Sequence, residues 1–400
     1  MPSTDADVGL LDPLWAGRPV ASVTSDAAIV DAIVRFEAAL ATATAPAGVA
    51  EAITAAGRDL DVAALAAAGA AGGNPVIPLL AALRSNLDDE PAHWLHRGAT
   101  SQDALDTALV LVARDAAART VTDATAAARL LAQHASAHRS TVITGRTLTQ
   151  AATPTTLGLK LAGWAWSVAR ATRAVRTAAD ALPVQLGGAA GTLAAFSAQD
   201  LDGVAVASRV AQDLGLAEPV APWHVLRSPV TRLGDALGEL VDAFGTVGRN
   251  VATLARVGEL DDGAAGGSSA MPHKSNPVRA VLLTGAATRA PFLVGMLHAA
   301  AVTVDERPDG AWHAEWSSLR DLLRVAGGAA ATGLDLAEGL RVHAAVIAAH
   351  VEESASDLLA ERAKYATGPA TPADAAPADY LGSADALVDR LLASVEEELA

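Results

Sequence analysis

The 400-residue chain contains no cysteine, which excludes disulfides, thiolate metal sites and a cysteine nucleophile. Aromatic residues are few, with two Tyr and four Phe, while Ala and Leu abound. That bias favours helix over strand. Lysine occurs only at 160, 274 and 364. The formal net charge of −16 argues against a nucleic-acid partner, which normally needs a broad basic face to neutralise phosphates. An anionic substrate must therefore be gathered by local positive charge. Arg279 and Arg289 interrupt the longest apolar candidate, around Val281–Val304, so no run reaches the roughly 18 residues of a membrane span. Met1–Asp7 is acidic and lacks the basic-then-apolar order of a secretion signal. A soluble, cytoplasmic protein with no membrane partner is expected. Of the ten histidines only His93/His96 and His134/His138 are closely spaced, and neither pair has an acidic cluster beside it. Neither a metal nor any other cofactor is expected.

From Ser25 to about Ala70 apolar residues recur at helical spacing, as in Ile29, Ile33, Phe36 and Leu40. Gly72-Gly73-Asn74-Pro75 is a turn. Long helices are predicted over Ser101–Ser136, Thr155–Leu182, Asp200–Leu214, Val230–Val257, Asn276–Thr303 and Glu315–Leu340, several exceeding the usual 11–12 residues or so. The fold class is all-α: a long central helical bundle (99–344) between small helical domains at 1–98 and 345–400. The stretch Ala366–Pro377 reads as a linker, and Ser383–Leu399 as a terminal helix. Ala- and Leu-rich helices of this length bury more than one face, which a bundle continued across subunits would supply.

Chemistry concentrates in one loop. Gly258–Gly267 carries Glu259, Asp261 and Asp262 among glycines, a composition for a mobile cover. Asn276-Pro277 fits a helix start, with Asn as N-cap and Pro at the first helical position. Lys274, the His273 ring and helix-start N–H groups around one spot make an anion site.

The string Gly267-Ser268-Ser269-Ala270-Met271-Pro272-His273-Lys274-Ser275-Asn276-Pro277 resembles the signature of the fumarase/aspartase superfamily. The resemblance implies that Ser268 is the catalytic base taking the proton alpha to a carboxylate. It also implies that Lys274 and Asn276 hold the carboxylate and its developing charge, with Ser269, Met271 and His273 lining the substrate. A serine hydroxyl is a weak base unless local positive charge and exclusion of water activate it, and Lys274 is the nearest candidate.

His96-Arg97-Gly98-Ala99-Thr100-Ser101-Gln102-Asp103 resembles a second superfamily motif, whose Thr-Ser pair binds a carboxylate. Read alone, Thr100 or Ser101 is a helix N-cap. His96 joins Thr100 and Ser101 as an expected substrate contact. Gly145–Pro154 is similar to a third motif, in which Gln150 supplies a binding amide and Lys160 a following basic position. Leu148 stands where several members carry a general-acid His, and Val281 where its Glu partner would be. The missing acid suits a leaving group that is already a stable anion.

Leu182–Thr192, Pro222-Trp223-His224 and Gly310–Trp316 extend the resemblance to the carboxymuconate cycloisomerase branch. That branch implies an intramolecular lyase acting on a small polycarboxylate in aromatic breakdown. Arg227 is expected to bind another substrate carboxylate. His224 and His313 are either core histidines or site groups, and Trp312 with Trp316 at i, i+4 is packing. The alternatives are a β-elimination that releases another stable anion, adenylosuccinate or argininosuccinate cleavage, and a catalytically silent structural homologue. The superfamily further implies a homotetramer whose active sites draw on several chains.

Overall fold

The computed structural model describes residues 8–264, 275–365 and 375–400. The N-terminal third is a set of short helices: α1 (Pro19–Val23), α2 (Asp26–Thr44), α3 (Val49–Ala56), α4 (Val62–Gly72), α5 (Val76–Ser85) and α6 (Asp89–Trp94). Their apolar faces, including Ile33, Phe36, Leu40, Ile53, Leu79 and Leu83, are all but fully buried. Gly73, at a φ of 71°, ends α4 at the predicted turn.

Five long helices form the bundle: α7 (Ser101–Ala137), α8 (Leu157–Asp180), α11 (Ser228–Arg256), α12 (Val278–Ala300) and α13 (Gly310–Gly339). The short α9 (Ala194–Ser197) and α10 (Gly203–Leu214) lie between α8 and α11 in sequence. Each predicted long helix is present, with ends within a few residues of expectation, except that α13 starts five residues earlier at Gly310.

Small residues set the spacing of the bundle. A Cβ at Gly245 of α11 would come within 2.2 Å of the Ala287 Cβ on α12. One at Gly333 of α13 would meet the Phe244 ring at 2.2 Å. The stripe Ala108, Ala116, Ala124, Ala127 and Ala128 on α7 is 0% exposed. Side chains this small let helix backbones approach at interior packing density.

Between α7 and α8 the chain makes an antiparallel hairpin that the sequence reading did not foresee, β1 (Val142–Thr147) and β2 (Gln150–Thr156). Its two-residue turn, Leu148-Thr149, has both φ angles positive (49° and 73°), which matches the twist of paired strands but lacks the Asn-Gly that usually announces it. A second small pairing joins β3 (Leu260–Asp261) to β4 (Arg341–Val342).

Beyond β4 come α14 (Ala344–Glu353), α15 (Ala355–Leu358) and α16 (Ala360–Tyr365), then a 3₁₀ turn at Pro377–Tyr380 and α17 (Ala384–Leu399). Helix α17 returns to the bundle, burying Val388, Val395 and Leu399 in the same core that begins at Leu14.

Helix α12 is long and apolar enough to cross a membrane by length and composition alone. Within the fold it packs between α11 and α13. Its Arg289 bonds to Asp12 at 2.7 Å and to Asp321 at 3.1 Å, and its Arg279 donates to the Asp262 carbonyl at 2.6 Å.

Candidate active site

The start of α7 is held by one carboxylate. Asp103 accepts the N–H groups of Thr100, Gly187 and Gly188, each at 2.9 Å, and pairs with His224 Nε2 at 2.7 Å. The side chains of Asp103 and His224 are 0% and 2% exposed. Because an ionised carboxylate only accepts, the His224 hydrogen sits on Nε2, and its buried Nδ1 has no partner among the described residues. His224 is thus a core residue that fixes the loop before α7. Thr100 and Ser101 remain partly exposed at that helix start, where free N–H groups favour an anion.

Arg307, which the sequence reading passed over, donates to the Thr100 hydroxyl at 2.5 Å. Its position between two long helices, in Asp305-Glu306-Arg307, was the available signal: a charged run on a connecting loop. Thr100, Ser101 and Arg307 together can take a carboxylate.

His96 sits five residues before α7 with a φ of 60°, its Nδ1 2.6 Å from Glu37. Burial alone would lower its pKa, but the fully buried Glu37 carboxylate beside it raises it overall. In this chain His96 anchors the approach to Thr100 on α2.

Arg227 does not fit the expected role. Its guanidinium bonds Asp106 at 2.7 and 3.0 Å and Glu315 at 3.1 Å, with a further short Glu315 contact, and lies 4.7 Å over the Trp223 ring. The side chain is 1% exposed. Burial opposes the charge, yet Asp106 and Glu315 hold it protonated. Arg227 therefore locks α7, α11 and α13 together and has no donor free for a substrate. Trp312, which also donates to Asp106 at 2.8 Å, belongs to this network, and its ring meets Trp316 edge-on at 4.6 Å. His313 is exposed and stacks beside Trp316, so it is not a core histidine.

The other motifs lie at the far end of the bundle. The hairpin leaves the C-terminal end of α7, where the Leu157 and Gly158 N–H groups bond the Thr141 and His138 carbonyls at 2.8 and 2.9 Å. Leu148, 96% exposed, and Gln150, also exposed, stand at its tip. At the same end Glu259, 1% exposed, receives Arg146 at 2.5 and 3.1 Å and His350 at 2.8 Å. Burial favours its neutral form, but those bonds keep its pKa below the usual value.

Asp262 then joins the two flanks of the 265–274 segment. Its Oδ1 accepts the Ala264 N–H at 3.0 Å before the loop, and its Oδ2 the Ala280 N–H at 3.2 Å after it. Asn276 falls one residue outside the helix cap, which is Pro277, so the predicted Asn cap is displaced by one position. Ser268, Ser269, Met271, His273 and Lys274 lie outside the described residues.

A protein-family profile described as "Lyase" matches residues 21–291, more than half of the chain. The chain belongs to the fumarase/aspartase superfamily. A nitrosuccinate lyase of Streptomyces davaonensis is 44% identical over 89% of this chain and 79% of that protein. A 3-carboxy-cis,cis-muconate cycloisomerase of Pseudomonas aeruginosa is 42% identical over 84% of this chain and 76% of that one. The solved 3-carboxy-cis,cis-muconate lactonizing enzyme of Pseudomonas putida superposes with a TM-score of 0.88 at 33% identity, covering 98% of this chain and 100% of that one. The all-α fold and membership in a superfamily of lyases and cycloisomerases follow. As a fumarase/aspartase-superfamily chain, this protein holds its motifs at two ends of one bundle, and the distance between them bears on how a site can form.

Proposed function

We propose that the chain is a 3-carboxy-cis,cis-muconate cycloisomerase working as a homotetramer in the cytoplasm. The observation that carries this reading is the end-to-end likeness to the lactonizing enzyme of Pseudomonas putida, 98% of one chain against 100% of the other. Leu148 at the hairpin tip supports it, because a carboxylate oxygen needs no general acid to leave or to attack.

In the forward direction one substrate carboxylate oxygen bonds to the diene, closing the lactone, while the Ser268 hydroxyl gives its proton to the neighbouring carbon. Solvent returns a proton to Ser268 before the next turnover. In reverse Ser268 removes that proton and the carboxylate leaves. Lys274 and Asn276 steady the intermediate charge, and Ser269, Met271 and His273 line the substrate. Thr100, Ser101 and Arg307 of one chain, Gln150 of a second and the loop of a third complete the pocket.

Two features support the proposed assembly. The motifs lie at opposite ends of the bundle, too far apart for one small substrate. Helix α12 also leaves Val281, Phe292 and Met296 58%, 77% and 43% exposed, an apolar face that a second copy would cover. A second reading, elimination of nitrite from nitrosuccinate by the same Ser268, is favoured by the 44% identity to the Streptomyces davaonensis enzyme.

The deciding experiment follows diene absorbance with 3-carboxy-cis,cis-muconate, using the intact protein and Ser268→Ala. Loss of absorbance that the substitution abolishes is expected. No loss with the intact protein rejects the substrate, and fumarate formation from nitrosuccinate then tests the second reading.

A further inference from the structure

We propose that the cavity between the hairpin, the first turn of α8 and the last two turns of α11 is an anion site formed within one chain, taking a small, multiply charged oxyanion. The cavity holds about 260 Å³ and is lined by Arg146, Lys160, Arg249 and Arg256, with Thr149, Asn250 and Thr253 among its polar groups. It does not depend on the proposed catalytic activity.

Charge is the first argument. Four cations face one space in a chain of net charge −16 that has only three lysines. Glu259, whose charge acts on Lys160, is already consumed by both terminal nitrogens of Arg146 and by His350. Arg249, Arg256 and Lys160 have no ion pair among the described residues. Excess positive charge at a concave surface focuses the field and draws in anions.

Geometry is the second. Arg249, Thr253 and Arg256 recur at four and three residues along α11, so they share one helix face. Lys160 approaches from the first turn of α8. The cavity thus offers two guanidinium groups from α11 and one ammonium from α8, with the Thr149 and Asn250 side chains also in its lining. Such an arrangement suits oxygens spread over a carboxylate pair or a phosphate better than a single-point halide.

Lys160 supplies the third. Burial, with Arg146 close by, lowers its pKa. A half-buried ammonium next to another cation is poorly solvated, and a bound anion would relieve both penalties.

Carboxylates of a substrate and free phosphate share this chemistry, and two arms separate them. Isothermal titration calorimetry of inorganic phosphate and of propane-1,2,3-tricarboxylate into the full-length protein is expected to show binding that weakens as salt rises. Arg249→Ser with Arg256→Ser, both at exposed positions, should weaken it at least tenfold, and Lys160→Met likewise. Arg249→Lys with Arg256→Lys should retain most of it. Phosphate displaced competitively by the tricarboxylate places organic acids in the pocket, whereas selective phosphate binding assigns it to phosphate; both support the site. Absence of binding by either anion, or binding unchanged in the serine pair, overturns the proposal. Ser268→Ala should bind as the intact protein does, so failure of the catalytic reading leaves this result interpretable.

Discussion

Thr100 and Gln150 lie at opposite ends of the same helix. Thr100 caps the start of α7, and Gln150 stands on the hairpin that leaves its far end. At about 1.5 Å per residue, the 37 residues of α7 put roughly 55 Å of helix between them. Helix α12 separates Asn276 from Arg307 in the same way. A small polycarboxylate cannot touch both ends of one chain.

Mixing experiments follow from that separation. Thr100→Ala and Ser268→Ala homomers should each be inactive, while subunits mixed through mild denaturation should regain a measurable fraction of activity, because some sites then contain neither lesion. Light scattering should show a tetramer. A stable, active monomer would sink the shared-site reading.

Asp262→Ala removes the acceptor shared by Ala264 and Ala280, one on each side of the loop. Loss of loop positioning should lower kcat by about tenfold to a hundredfold, since small misplacements of reacting groups carry such costs. Stability should fall by about 1–3 kcal/mol for the buried donors left unsatisfied. Steady-state kinetics beside urea unfolding distinguishes the two effects; unchanged kcat would refute the role assigned to Asp262.

Arg227→Met strands Asp106 and Glu315 as buried carboxylates, so unfolding free energy should drop by about 3–5 kcal/mol. The triple replacement of Arg227, Asp106 and Glu315 by apolar residues of similar volume should recover much of the loss. Were Arg227 instead a substrate ligand, Arg227→Met would raise KM with little change in stability.

The His96–Glu37 pair predicts a pH dependence with a definite sign. The folded-state pKa of His96 lies above its ordinary value of about 6.5, so protonation favours the fold. Its contribution is complete below about pH 6.5 and is lost as pH rises through the raised value. The stability difference between the intact protein and His96→Asn should therefore shrink from pH 6 to pH 9 in chemical denaturation. A difference that grows over that range contradicts the assignment.

Much of the architecture was legible residue by residue. Apolar spacing at Ile29, Ile33, Phe36 and Leu40, and a long Ala-rich stretch without Gly or Pro over Ser101–Ser136, carry the helical period in the sequence itself. The hairpin was not legible, because Leu148-Thr149 adopts positive φ angles without Asn or Gly, and only pairing between flanking strands enforces that turn.

Motif chemistry was similarly local. Thr100, Ser101, Gln150 and Asn276 were found by their neighbours in sequence, and each keeps an exposed or partly exposed position. Arg227 was misread because an arginine near a site motif looks the same whether its partners are substrate or protein. Asp106 and Glu315 stand 121 and 88 residues from it, and long-range packing alone put them around its guanidinium. Arg307 on Thr100, and Asp262 across the loop, were likewise settled by the fold. Sequence by itself determined the helices and the residue types available for chemistry, since both depend on short-range spacing. Tertiary structure decided which charges are neutralised and which ends of the bundle carry each motif, because those depend on contacts between residues far apart in sequence, such as the 88 and 121 positions that separate Arg227 from Glu315 and Asp106.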